Sequence, residues 1–272
     1  TVADYEPDAG RGLRYVNYSP EQAMAEKADA MVLALPNGLA GAWASVFDAS
    51  ASTALLLDLS ADFRFDDGWY YGLPELTRAH YRGQRRISNP GCYATAMQLA
   101  IAPMRDFIDG PVQCFGVSGY SGAGTQASDK NNPEKLKDNL MPYALTGHIH
   151  EREAALQMAC AVQFMPHVAP HFRGLSITAN ITLKQSFNAE QVLARYSDFY
   201  RDEPLVTVCA SMPWLACVAG SPKATVGGFT LSEDGRRLVT VSVLDNLLKG
   251  AASQAVQNIN RAFDLPETLG IL

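Results

Sequence analysis

The chain is short of charge. Asp, Glu, Lys and Arg together make up 18% of its 272 residues, and the net charge is −6. That excludes the strongly basic surface that nucleic acid or an anionic membrane would select. No run reaches the roughly 18 consecutive apolar residues that a membrane helix needs. The first thirty residues lack a basic start followed by an apolar stretch, so no signal peptide is read there. Cysteine is scarce. There are five, an odd number, without CxxC spacing, so neither a disulfide framework nor a zinc ribbon is indicated. They read as free thiols of a reducing compartment, with the cytoplasm as the default. Internal repeats and low-complexity tracts are also missing.

What is present is apolar material, 47% of residues, enough for one large or two ordinary domains. Pro20 to Glu26 is a short helix candidate. Ala30 to Leu35 and Ala54 to Ser60 are apolar runs, and Leu39 to Ala49 between them suits a helix. Short buried runs alternating with helices predict parallel strands in an α/β layer. The pattern then changes. Leu175 to Leu183 alternates apolar and polar without a slip, as a half-buried antiparallel strand does. Val226 to Leu231 and Leu238 to Leu244 flank Glu233-Asp234-Gly235, a hairpin signal. Asn188 is placed to cap a helix from Ala189 to about Tyr200. Leu248, Ala252, Ala255, Val256, Ile259 and Phe263 mark a final helix.

Cys92 stands out chemically. Pro90 and Gly91 break the chain just before it. After it, Tyr93, Ala96, Met97, Ala100, Ile101, Met104, Phe107 and Ile108 keep helical spacing over about four turns. Cys92 therefore falls in a first helical turn, where free N–H groups and the helix dipole favour a thiolate. On this ground it is expected to alkylate faster than the other four cysteines. A histidine could exchange a proton with it, and His148 or His150, steadied by Glu153, could do so. His148-Ile149-His150 could otherwise hold a metal, but no third ligand is evident. His167 and His171 have zinc-helix spacing, yet Pro166 and Pro170 forbid a regular helix there. No metal is expected. Ser118 to Thr125 is a Gly-rich loop after a strand at Val112 to Val117, able to bring N–H groups near an anion. Arg64 and Arg173 could each hold a carboxylate or phosphate with two parallel hydrogen bonds, or simply form surface ion pairs.

Six segments together resemble the N-acetyl-γ-glutamyl-phosphate reductase family, within the wider aspartate-semialdehyde dehydrogenase group. They are Leu57 to Arg64, Asn89 to Tyr93, Val117 to Gly124, His148 to Glu153, Pro166 to Gly174 and Asp245 to Ala252, in the family's order. The Cys and His segments are specific, whereas the last is shared by the wider group. The resemblance implies a Rossmann-type nucleotide-binding domain, α/β, from 1–91 and 246–272. It implies a glyceraldehyde-3-phosphate-dehydrogenase-like catalytic and oligomerisation domain, α+β on a mixed or antiparallel sheet, from 92–245. The implied activity is NADPH-dependent reduction of an acyl phosphate through a thioester on Cys92, in arginine biosynthesis. A histidine of the His148/His150 pair would be the acid/base, with His148 preferred and Glu153 orienting it. Ser60, Arg64, Asn89 and Arg173 would hold the substrate. Leu35, Pro36, Asn37, Ser118, Gly119, Gly122 and Asn246 would line the NADP site. A homotetramer or homodimer is implied.

One departure concerns the cofactor. The family opens with a Gly-rich turn that cradles the pyrophosphate, and this chain has none before Met31. It begins at Thr1-Val2-Ala3-Asp4, inside the nucleotide domain on this reading. If the turn is truly lost, NADP binding should weaken and an open sheet edge should result. Rival readings are a reductase of aminoadipyl or aspartyl phosphate, and a catalytically dead binding subunit without a cofactor site.

Overall fold

A computed structural model describes residues 8–10, 13–50, 52–124 and 126–272. Thr1 to Asp4 and Thr125 lie outside these. A small antiparallel pair, β1 (Asp8–Gly10) and β2 (Leu13–Arg14), comes first. Then follow α1 (Pro20–Ala25), β3 (Ala30–Leu33), α2 (Ala40–Ala49), β4 (Leu55–Asp58), β5 (Tyr70–Tyr71), α3 (Pro74–Thr77) and β6 (Arg86–Ser88). These strands form a four-stranded sheet in the order β3-β4-β6-β5, parallel throughout. Its inner strand β4 is buried on both faces and is apolar without alternation, whereas the edge strand β3 leaves Val32 exposed. Leu33 and Leu56 pack with Ala44, Phe47 and Trp69 on the α2 side. Leu55, Leu57 and Ile87 pack with Tyr81 and Ala255 on the other. Ala255 belongs to α8 (Ser253–Ala262), the last helix, so the end of the chain covers the second face of its beginning.

A seven-stranded mixed sheet holds the rest. Its strands are β7 (Val112–Gly119), β8 (Met141–Pro142), β9 (Val162–Ala169), β10 (Leu175–Thr182), β11 (Val206–Cys209), β12 (Ala224–Leu231) and β13 (Arg237–Leu244). Their order is β11-β12-β13-β10-β7-β9-β8, with β7–β9 and β11–β12 parallel and the other pairs antiparallel. Helices α4 (Cys92–Ile101), α6 (Ile149–Met158) and α7 (Ala189–Phe199) cover one face, after a short α5 (Pro133–Leu136). Their apolar sides and the inward residues of the strands make the largest core. The opposite face carries Gln113, Phe115 and Gln163 exposed, with Val117, Met165, His167 and Thr178 half-buried. Among the described residues no helix is long and apolar enough to cross a membrane.

The Cys92 helix is shorter than its apolar spacing predicts. It ends at Ile101 and tightens into a 3₁₀ segment, Ala102–Phe107. The cause is Pro103, which has no N–H for the carbonyl of Leu99 four residues back. Tyr200 of the segment after α7 donates its hydroxyl to that carbonyl instead, at 2.7 Å, and Tyr196 serves Ala100 the same way. The final helix also departs from its pattern. It opens as a π-turn, Leu248–Ala252, before α8.

Candidate active site

Cys92 is the first residue of α4, after an extended Gly91 (φ −70°, ψ 148°) that offers no side-chain cap. Three elements converge on this point. A Cβ added at Gly91 would collide with His150 Nε2 and lie 2.6 Å from Arg64 Nη1. A Cβ at Gly250 of the π-turn would lie 2.6 Å from Cys92 Cβ. Only glycine fits at either position, because the α-carbon itself forms the wall. The nucleophile candidate therefore sits between α6 and the π-turn, on the loop leaving the parallel sheet.

Beneath it lies a buried charged knot. Glu153, with no exposed surface, accepts from Gly91 N (2.8 Å), Tyr71 Oη (2.7 Å) and Arg64 Nη1 (3.0 Å). Gln98 Nε2 in turn donates to Tyr71 Oη at 2.6 Å. Two expectations change here. Glu153 does not orient a histidine, since its partners are the cysteine loop, Tyr71 and Arg64. Arg64 is not free to grip a substrate. Its other nitrogens donate to the carbonyls of Asn89 (2.9 Å) and Leu59 (3.0 Å), and the residue is 8% exposed. Arg64 and Glu153 instead pin the Asn89–Cys92 loop across the two sheets.

The two histidines have different jobs. His148 caps α6, with its Nδ1 accepting from His150 N at 3.1 Å. Its ring packs among Tyr93, Tyr143 and Phe164. His150 faces the cysteine loop through Nε2, and its buried Nδ1 has no hydrogen-bond partner among the described residues. Burial pulls the His148 imidazole down to about 4. Burial first, then Arg64 and His148, hold His150 well below the usual histidine range. Both rings are neutral at pH 7, and the Nε2 of His150 packs against Gly91 of the cysteine loop.

The helix start does not deliver a ready thiolate. Burial pushes the Cys92 thiol up to about 11, against the opposing pull of the Tyr93 N–H and of Arg64. Local sequence made Cys92 the fastest thiol of the five; its surroundings make it a protonated thiol that needs a base. The other four cysteines are also free, and Cys217 is the exposed one.

The remaining predicted residues fall into two groups. Ser118, Gly119, Gly122 and Asn246 come together. Asn246 accepts from Gly174 N at 2.6 Å and donates to Ser121 Oγ at 3.0 Å. A Cβ on Gly122 would lie 2.9 Å from Ser118 Oγ and 3.4 Å from Asn246 Nδ2. Arg173 approaches the buried Asp245 at 2.7 Å and keeps about a third of its side chain exposed, so one edge of its guanidinium stays reachable. Ser60 and Asn89 are internal instead. Ser60 Oγ donates to Asp58 Oδ2 at 2.7 Å, and Asn89 Oδ1 accepts from Asn258 Nδ2 at 2.9 Å. Both are under 5% exposed, so they shape the loops rather than contact a ligand. Leu35, Pro36 and Asn37 follow β3 at the carboxyl end of the parallel sheet, where ligands of open α/β sheets bind. Asn37 Oδ1 is used by Ala61 N at 3.0 Å. Among the described residues no three His, Cys, Asp or Glu side chains gather as a metal site. Tyr71, Gln98, Gly250 and Lys249 join this region with no signal of their own in the sequence beyond, for the last two, membership of the Asp245–Ala252 segment.

Two family profiles match. Residues 1–84 fit the semialdehyde dehydrogenase NAD binding domain, and residues 92–246 fit the semialdehyde dehydrogenase dimerisation domain. N-acetyl-gamma-glutamyl-phosphate reductase of Stenotrophomonas maltophilia is 57% identical over 270 residues, covering 99% of this chain and 85% of the relative. The protein of the same name from Xylella fastidiosa is 54% identical, covering 99% and 83%. The fold matches aspartate semialdehyde dehydrogenase from Francisella tularensis with a TM-score of 0.75 at 18% identity, over 93% of this chain and 88% of that one. Aspartate semialdehyde dehydrogenase II from Vibrio cholerae gives 0.72 at 20% identity, over 91% and 82%. The chain belongs to the semialdehyde dehydrogenase family.

Proposed function

We propose that this protein is an NADP-dependent reductase of N-acetyl-γ-glutamyl phosphate, forming N-acetylglutamate semialdehyde and phosphate in arginine biosynthesis. The observation that carries the reading is Cys92 at a helix start, with a neutral His150 against the preceding Gly91 and with Arg64 and Glu153 fixing the loop beneath. The identity of 54–57% to relatives bearing that activity in their names supports the substrate.

The chemistry follows from the two protonation states. His150 takes the Cys92 proton as sulfur attacks the acyl carbon. The carbon–sulfur bond forms, the carbon–oxygen bond to phosphate breaks, and a thioester remains on Cys92. NADPH, when bound, would supply the hydride that reduces this carbonyl. His150 then holds its proton at the oxygen that gains charge, and takes it back as the carbon–sulfur bond breaks and the aldehyde leaves. Arg173, with its exposed edge, serves the substrate's anionic groups. His148 stays uncharged and fixes the start of α6.

The residues fit the cofactor at its nicotinamide end. Asn246 is held by two hydrogen bonds beside Ser118, and Gly122 leaves the space a side chain would fill. Leu35, Pro36 and Asn37 border the sheet end. Asp62 accepts from Gly38 N and Ala40 N and so occupies the start of α2.

The nucleotide-binding unit is taken as 1–91 with 246–272, and the catalytic and oligomerisation unit as 92–245. The packing of α8 on the parallel sheet supports this division. Assembly is as a homodimer or homotetramer through the uncovered face of the large sheet, where Phe115, Val117 and Met165 follow the paired Gln113 and Gln163 along β7 and β9. Five free thiols suit the cytoplasm. NADP reduction in the presence of N-acetylglutamate semialdehyde and phosphate tests the reading. Activity must exceed that with aspartate or aminoadipate semialdehyde and vanish in Cys92→Ala. An inactive wild-type protein, or an active Cys92→Ala, refutes it.

A further inference from the structure

The proposed chemistry does not use the most deeply buried cation of the molecule. Lys249 has no exposed surface. Its ammonium donates to Glu75 Oε1 (2.6 Å), Gln254 Oε1 (2.6 Å) and Gln257 Oε1 (2.7 Å), which exhausts its three protons. Glu75 is equally buried and comes from α3, at the far end of the sequence from Lys249. Its second oxygen has no hydrogen-bond partner among the described residues. A pair this deep stabilises little or nothing over apolar residues of the same shape. Its location suggests what it does instead. Lys249 lies inside the π-turn Leu248–Ala252, and the next residue is Gly250, whose α-carbon forms the wall behind Cys92. Two wide hydrogen bonds keep the turn open, Gly250 N to Asp245 O and Ala252 N to Leu247 O, each 2.9 Å. A π-turn is less favourable than an α-turn and needs outside support to persist.

We propose that Lys249, neutralised by Glu75, is a positioning residue that holds the π-turn so that Gly250 closes the rear of the Cys92 chamber and the sulfur can point only toward the substrate. Burial pushes the Glu75 carboxyl up, yet the charge and hydrogen bonds of Lys249 outweigh it and keep it below the usual range, as a working ion pair requires. With Lys249 gone, the turn relaxes toward α-helical winding and Gly250 withdraws from Cys92.

The inference rests on Cys92 being the nucleophile, and Cys92→Ala checks that separately. The test is Lys249→Met combined with Glu75→Gln, which removes both charges and keeps both shapes. Expected are a fall in kcat of about tenfold to a hundredfold, a KM within about threefold, and faster iodoacetamide labelling of Cys92 relative to the exposed Cys217. Slower turnover with a more accessible sulfur is the signature; general loosening would raise labelling of the buried Cys114 as well. If the double variant does not fold, Lys249→Arg decides. Its planar fork cannot meet three converging oxygens, so the same two changes are expected. Wild-type kcat with an unchanged Cys92 to Cys217 labelling ratio, in whichever variant folds, overturns the proposal.

Discussion

At the scale of single residues, the site works by withholding charge. Cys92 is protonated and both histidines are neutral at pH 7, in each case first because of burial. This has a cost in acid. Unfolded histidines titrate near 6.5, while the folded rings titrate lower, near 4 for His148. Between those values the unfolded chain binds more protons, so stability rises with pH there. The stabilisation is complete above about pH 6.5 and is lost as pH falls toward the folded values. The melting temperature should therefore drop between pH 6.5 and pH 5, and His148→Asn should flatten that slope; an unchanged slope would show that other groups govern it. Gly91 gives a second prediction. Its missing side chain admits His150 and Arg64, so Gly91→Ala should lower kcat by about a hundredfold or more. Steady-state kinetics on the purified variant would measure this.

At the scale of elements, the sequence is most readable where local chemistry and packing agree. Asn188 caps α7 through a full capping box, accepting from Gln191 N at 2.8 Å and donating N–H to Gln191 Oε1 at 2.9 Å. Asn188→Ala should cost about 1 kcal/mol, measurable by urea denaturation. The Glu233-Asp234-Gly235 hairpin is equally local, with Gly235 at φ +69°. Other elements were not legible. β9 carries Pro166 and Pro170 follows it, so it reads as broken, yet it lies parallel to β7 from Val162 to Ala169. β5 and β6 are two and three residues long; β6 forms on the edge of β4, and β5 on the edge of β6. The π-turn has α-helical spacing in sequence and is wound by Lys249 and Asp245 from within the fold. The site follows the same division. Cys92 and the His148/His150 pair were evident from their segments. The Glu153 partners Arg64, Tyr71 and Gly91, and the Asn258 partner of Asn89, lie 62 to 169 positions away and could not be read from spacing.

At the scale of the molecule, the large sheet leaves one face without helices. Phe115 is 39% exposed there and packs against His167, ring centroids 4.5 Å apart and tilted by 44°. An apolar centre with a polar surround is the composition of a protein interface, and the matching profile over 92–246 is that of a dimerisation domain. Phe115→Lys places a charge in the middle of that face. It should shift sedimentation toward the monomer while leaving the circular dichroism spectrum unchanged. A variant that sediments as the wild type would move the interface elsewhere.

The order in which this chain leaves the ribosome does not match the order in which it can be completed. Leu55, Leu57 and Ile87 are made well before their cover, Ala255 and Ile259 of α8. Until then one face of the parallel sheet is bare and can stick to other apolar surface. The Cys92 chamber is unfinished for the same interval, because Gly250 also arrives late. Nascent chains should thus complete the surroundings of Cys92 in one step, once Gly250 has emerged, and not gradually.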